Sequence, residues 1–291
     1  MKKIGVILLM VLGGLHATSQ TIEGTSNSVT VEISPKKTTT ESDEVITLAT
    51  LGITKLPIYH ALIIGVSNYQ NAGAKLPNLE MPAKDAERFY RVLIEKYAFE
   101  PQHVTLLKDP TREEIIDQFD RLSEKVTDKD NLLVFYAGHG YYNKAKDFGY
   151  WLPADAKLSS SSEWIANSTI KDYIGAIHSK HTLLIADACF GGSIFKTRSV
   201  EAMISQFNEM YRNISRKALT SGNLTEVPDK SVFLKYVIKT LEDNNEVFLS
   251  SSKLFSRIYE PILNNTATTP QWGIIQGAGD EGGDFIFIKK K

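Results

Sequence analysis

The chain has 291 residues, 42% of them hydrophobic, enough apolar content for one large packed domain or two small ones. Its formal charge of −1 at pH 7 gives no electrostatic basis for nucleic-acid binding, and its single cysteine excludes an intramolecular disulfide.

Met1-Lys-Lys precedes an apolar stretch, Ile4 to Leu15, that is too short for a membrane span and suits a secretory signal. Ala17-Thr-Ser19 fits a small-residue cleavage site. The expectation is a signal peptide over 1–19, a mature start at Gln20, a secreted or periplasmic location and no stable membrane span after cleavage; an uncleaved anchor is the alternative. Residues 20–57 are rich in Ser, Thr and Glu and read as an extended amino-terminal segment, with Val29 to Ile33 alternating like an edge strand.

The pattern sharpens over 58–289, which reads as one domain. Tyr59 to Val66 is a continuous apolar run, as in a strand covered on both faces. Ala86, Phe89, Tyr90, Leu93, Ile94 and Tyr97 recur at helical spacing, so Ala83 to Tyr97 is a helix with one apolar face. His103 to Leu107 is a second strand. Thr111-Arg-Glu-Glu114 is a capping box that opens a helix running to about Lys125.

Leu132 to Ala137 is the third strand, a helix capped by Ser168 follows over Thr169 to Ile177, and Thr182 to Ala186 is the fourth strand. This alternation predicts a three-layer α/β/α sandwich with a mainly parallel sheet of about six strands. Beyond Cys189 the rhythm loosens. Ala218 to Gly222 reads as a short strand and turn, Ser231 to Glu242 and Ser251 to Asn264 as helices, and Phe285 to Ile288 as a closing strand. His178 and His181 flank the start of the fourth strand and read as surface residues.

The chemistry concentrates at two strand ends. One apolar run ends in Gly138-His139-Gly140, and another in Asp187-Ala-Cys189-Phe-Gly-Gly192. Open α/β sheets build sites at the carboxyl ends of their strands. A thiol and an imidazole delivered there form a candidate dyad, in which Cys189 is the nucleophile and His139 the base. The backbone N–H groups of Gly140 and Cys189 are candidates for an oxyanion hole. The remaining histidines show no ligand spacing, and no metal or other cofactor is expected.

These two motifs resemble the paired signatures of the caspase, metacaspase and paracaspase peptidases, of a bacterial secreted type, over roughly Tyr59 to Ile288. The histidine precedes the cysteine by about 50 residues, the interval usual in caspases. The resemblance implies a caspase-type fold and a Cys-His endopeptidase acting on a protein or peptide substrate. True caspases carry a glutamine two places before the cysteine and accept aspartate at P1. This chain has Asp187 there, and Ser67-Asn-Tyr69 offers no arginine. Pro82-Ala-Lys-Asp85 resembles the metacaspase segment whose aspartate helps to grip a basic P1 residue, although the family cysteine at the place of Pro82 is missing. A carboxylate floor repels acids and attracts cations, so Asp85 and Asp187 predict cleavage after Arg or Lys.

Ser221 is a candidate for pairing with the substrate backbone. Lys196 and Arg198 stand where metacaspases place a calcium-binding aspartate, so no calcium dependence is expected. A basic P1 preference makes Lys196, Arg198, Arg212, Arg216 and Lys217 candidate self-cleavage points. Two other readings stay open: an inactive caspase-like binding module, and a peptide ligase using the same dyad.

Overall fold

The computed structural model describes residues 21–24, 27–30, 56–143, 145–146, 148–188, 195–196, 207–222 and 229–290. The chain divides into two units, Met1–Val45 and Ile46–Lys291. In the first unit, β1 (Thr21–Gly24) and β2 (Asn27–Thr30) pair as an antiparallel hairpin with Thr21 opposite Thr30. Val29 falls in β2; residues 31–33 and the proposed signal segment lie outside the described residues.

The second unit opens with β3 (Tyr59–Gly65), α1 (Pro82–Lys96), β4 (Val104–Lys108), α2 (Arg112–Lys125) and β5 (Asn131–Ala137). A small side sheet of β6 (Gly140–Asn143), β7 (Phe148–Trp151) and β8 (Ile165–Ala166) leads into α3 (Asn167–Ala176) and β9 (His181–Asp187). Then come β10 (Phe195–Lys196), α4 (Phe207–Arg212), β11 (Ser215–Thr220) and α5 (Val232–Asp243). The chain closes with β12 (Phe248–Ser250), α6 (Ser251–Leu263), β13 (Gln271–Ile275) and β14 (Ile286–Ile288).

The central sheet has the order β10-β13-β11-β9-β5-β3-β4. From β11 to β4 every neighbour is parallel. β13 runs antiparallel to β11, and the two-residue β10 adds to the outer side of β13. Six strands therefore form the body of the sheet, as expected. The first strand, β3, lies inside it: the chain moves out to β4, then returns to β5 on the other side. Such a switch opens a crevice at the carboxyl ends of β3 and β5.

Alternate residues of the strands feed two cores. Ile63, Phe135, Ile185 and Leu219 pack with Phe89 of α1, Val237 of α5 and Ile258 of α6. Ile64, Val134 and Leu184 pack with Phe119 of α2, Ile170 of α3 and Trp151 of the side sheet. Both faces are covered, which is why the strands read as unbroken apolar runs. α1 buries Ala86, Phe89, Leu93 and Tyr97 from the predicted stripe, with Tyr90 and Ile94 partly covered. It lies close against β3 because residue 65 is glycine: a Cβ there would stand 2.6 Å from Pro82 O and 2.7 Å from Ala86 Cβ. The capping box of α2 forms as read, with the Thr111 hydroxyl and Glu114 carboxylate each accepting the other residue's N–H.

Several expectations change. Phe285 to Ile288 gives a strand, but β14 pairs with β12 in a separate two-stranded sheet, because an apolar run announces burial and not its partner. Gln271–Ile275 supplies the antiparallel central strand instead. α3 starts two residues earlier than read: Ala166 is held opposite Tyr150 in the side sheet, so it becomes the N-cap and Ser168 falls inside the helix. His181 is buried and not on the surface, with Nε2 3.0 Å from Tyr211 O and Nδ1 3.3 Å from Ser215 Oγ. Burial lowers its pKa to about 3. Arg216 and Lys217 stand in β11 with only 4% and 5% exposure, so a peptidase cannot reach them in the folded protein. Arg212, at the end of α4, is exposed.

Candidate active site

Strands β5 and β9 are neighbours with Ala137 opposite Asp187. Their ends are level, so His139 and Cys189 each stand two positions past one register line. Cys189 itself lies outside the described residues; the description ends at Ala188, which is buried.

The peptide of His139 is held from both sides. Its N–H donates to Tyr69 Oη at 2.7 Å, and its carbonyl accepts Tyr136 Oη at 2.7 Å and Leu152 N–H at 3.1 Å. The Tyr69 ring lies 5.0 Å from the imidazole, and burial raises its phenol pKa well above the ordinary value, so it stays a neutral hydroxyl. Gly138 is required here: its φ is 157°, and a Cβ would come within 3.1 Å of the hydroxyls of Tyr69 and Tyr136.

His139 Nε2 is 2.9 Å from Pro77 O. A carbonyl only accepts, so Nε2 carries the proton and Nδ1 keeps the lone pair in the neutral ring. The loop that supplies Pro77 is fixed by paired bonds between Gly73 and Leu76 and by Leu79 N–H donating to Ser67 O. Because Leu152 N–H reaches His139 O, Gly140 faces Trp151 as a non-hydrogen-bonded pair. The Gly140 N–H therefore points away from β7, available to an incoming oxyanion.

Beside Gly138 lies a narrow cleft lined by Pro82 and Asp85 of α1, Asp187 of β9, and Asp229 and Ser231 at the start of α5. Among the described residues no basic side chain lines it. The structure thus joins the two carboxylates read from the sequence and adds a third, Asp229. Asp187 is 4% exposed, and its Oδ1 has no hydrogen-bond partner among the described residues. Burial raises its pKa to about 6, the hydroxyls of Ser231 and Ser221 pull the other way, and Asp85 pushes it further up. The Ser221 Oγ is also buried and makes no hydrogen bond of ordinary length and angle among the described residues. Asp85 is likewise raised to about 6 by burial, with Arg88 opposing and Asp229 adding to the rise.

Ser221 follows Thr220, which pairs with Ala186, and its N–H donates to Ala186 O at 3.3 Å. It is 2% exposed, and its side chain lies against Asp187, behind the residues that line the cleft. Its backbone N–H is bound within the sheet. Sequence reading missed Pro77, whose contribution is a main-chain oxygen, and Asp229, which sits in a polar stretch without a motif.

A family model for the caspase domain matches residues 58–258. A comparison with curated proteins gives no match. Among solved structures, a protein from Geobacter sulfurreducens is similar at 14% identity and a TM-score of 0.53, covering 79% of this chain and 100% of that one. Caspase-1 from Spodoptera frugiperda is similar at 13% identity and a TM-score of 0.53, covering 75% and 87%. At such identities the structural likeness is one of fold, and the family model matches over most of the chain. Strand order, the histidine loop and the matched segment agree: the chain belongs to the caspase-domain family and has the fold of a caspase-like peptidase.

Proposed function

We propose that this protein is a cysteine endopeptidase that cleaves after Arg or Lys. The acidic cleft carries the reading: Asp85, Asp187 and Asp229 line one narrow space beside the histidine loop, and Asp187 Oδ1 is buried without a partner among the described residues. A buried acceptor left unpaired costs roughly 1–3 kcal/mol or more when charged, a cost that a cationic P1 side chain relieves. An aspartate at P1 would meet like charge instead.

In the proposed reaction His139 Nδ1 takes the thiol proton of Cys189, and the thiolate adds to the scissile carbonyl, forming the C–S bond. The oxyanion receives the N–H groups of Gly140 and Cys189. Collapse breaks the C–N bond as His139 returns its proton to the leaving amine, and water then hydrolyses the thioester. Pro77 O keeps Nε2 protonated, so the same nitrogen, Nδ1, serves in both transfers.

Self-processing within this reading is confined to Lys196, Arg198 and Arg212, since Arg216 and Lys217 are sealed in β11. Export through residues 1–19 belongs to the same proposal, and amino-terminal sequencing of the secreted product should begin at Gln20. Turnover of fluorogenic peptides with Arg, Lys or Asp at P1, by wild type, Cys189→Ala and His139→Ala, tests the function. Basic P1 turnover lost in both variants supports it; faster cleavage of the P1-Asp peptide refutes the pocket assignment.

A further inference from the structure

The third carboxylate of the cleft has two oxygens in different circumstances. Asp229 Oδ1 accepts the N–H groups of Glu80 at 2.8 Å and Met81 at 2.9 Å, just ahead of α1. Its Oδ2 has no hydrogen bond among the described residues, and Asp229 lines the cleft with Asp85 and Asp187. Arg88, whose charge opposes the rise of the Asp85 pKa, is itself engaged by Glu242 in two hydrogen bonds of 2.9 and 2.6 Å. Among the described residues three carboxylates therefore share one space with no ion pair to any of them, and the deepest keeps an unpartnered oxygen at 4% exposure.

We propose that Asp229 is a specificity-determining residue of the P1 pocket: Oδ1 latches the start of α5 to the approach of α1 and so sets the width of the cleft, and Oδ2 accepts from the flank of a P1 guanidinium. The inference rests on the basic-P1 reading above. A lysine ammonium is a compact charge on a flexible stem, which Asp187 at the floor serves alone. A guanidinium presents five donors in a planar fork and fills floor and wall together. The pocket thereby favours Arg over Lys, and Asp229 supplies the difference.

The test compares steady-state kinetics of wild type, Asp229→Asn and Asp229→Ala on matched peptides with Arg, Lys or citrulline at P1, alongside thermal unfolding of each protein. Asn keeps the oxygen that accepts from Glu80 and Met81 but removes the charge. The expected result for Asp229→Asn is a fall of about tenfold in kcat/KM for Arg, carried by KM, with a smaller fall for Lys and a narrowed gap between Arg and citrulline. Asp229→Ala should lose the latch as well, with a lower unfolding temperature than the Asn variant. Unchanged Arg and Lys kinetics in Asp229→Asn would overturn this inference alone and leave a latch without a specificity role. A wild type that ignores all basic P1 peptides but cleaves acidic ones would overturn the pocket reading with it.

Discussion

The two ends of β11 carry buried charge in opposite ways. At its start, Lys217 Nζ meets Asp280 Oδ1 at 2.9 Å, and Asp280 also accepts the N–H groups of Arg216 at 2.8 Å and Gly282 at 3.0 Å. The Arg216 guanidinium donates to the carbonyls of Ser215 and Ser179, each at 2.8 Å, leaving Nε without an acceptor. At the far end, Ser221 and its neighbour Asp187 bury an oxygen each without a partner. One strand thus ends in a nearly satisfied cluster and in an unsatisfied one. Buried ionic groups cost stability unless paired, so the unpaired end is the one the proposed P1 side chain would relieve, and the paired end is where the fold is held.

The sharpest way to break this contrast is Asp187→Asn. Turnover of a P1-Arg peptide should fall about 100-fold or more, as when one member of a buried charge pair is removed. Stability at pH 7 should rise by about 2 kcal/mol, because the wild-type carboxylate ionises less readily folded than unfolded. Chemical denaturation and peptide kinetics read the two effects on the same sample. A variant that loses both activity and stability would mean that Asp187 has a structural partner.

The opposite substitution, Lys217→Met, leaves Asp280 buried without its cation and should cost about 3–5 kcal/mol. Equal stability by denaturant titration would show that the ion pair contributes nothing net. Acid should act differently on the two kinds of site. His60 and His181 have pKa values lowered by burial to about 4 and about 3, so below pH 6.5 the unfolded chain takes up protons that the folded chain refuses. Each histidine removes stability as pH falls from 6.5 toward its folded value, about 3 kcal/mol for His60 if the full shift applies.

Asp85 and Asp187, raised to about 6, work in the reverse sense: between pH 6 and the ordinary aspartate value the folded chain takes up protons first and gains stability. Wild type should therefore lose stability gradually on acidification and Asp187→Asn more steeply, read as unfolding free energy between pH 7 and pH 4. The smallest effect belongs to Ser221→Ala. It removes an unpartnered hydroxyl, so stability should shift by less than about 1 kcal/mol while P1-Lys turnover drops a few-fold.

Much of this was legible in the residues. The unbroken apolar runs located β3, β5 and β9, Thr111 and Glu114 marked the start of α2, and Asp85 and Asp187 were read together because their chemistry agreed. What escaped depends on pairing at a distance. The side sheet joins two short aromatic segments, β6 and β7, to the two-residue β8, and no local period specifies their partners. His181 reads as polar and exposed until Ser215 is placed opposite it in β11. Asp229 becomes a pocket residue only once α5 is brought to the head of α1.

The acceptor that orients the imidazole belongs to the main chain, which has a practical consequence. Replacing Pro77 by another residue leaves its carbonyl in place, so conventional alanine scanning will pass over this partner of His139. Semisynthesis with an ester linkage between Pro77 and Asn78 weakens that oxygen without altering any side chain. Such a protein should keep its pocket selectivity and slow in the chemical step alone, separating how the enzyme chooses a peptide from how it cuts one.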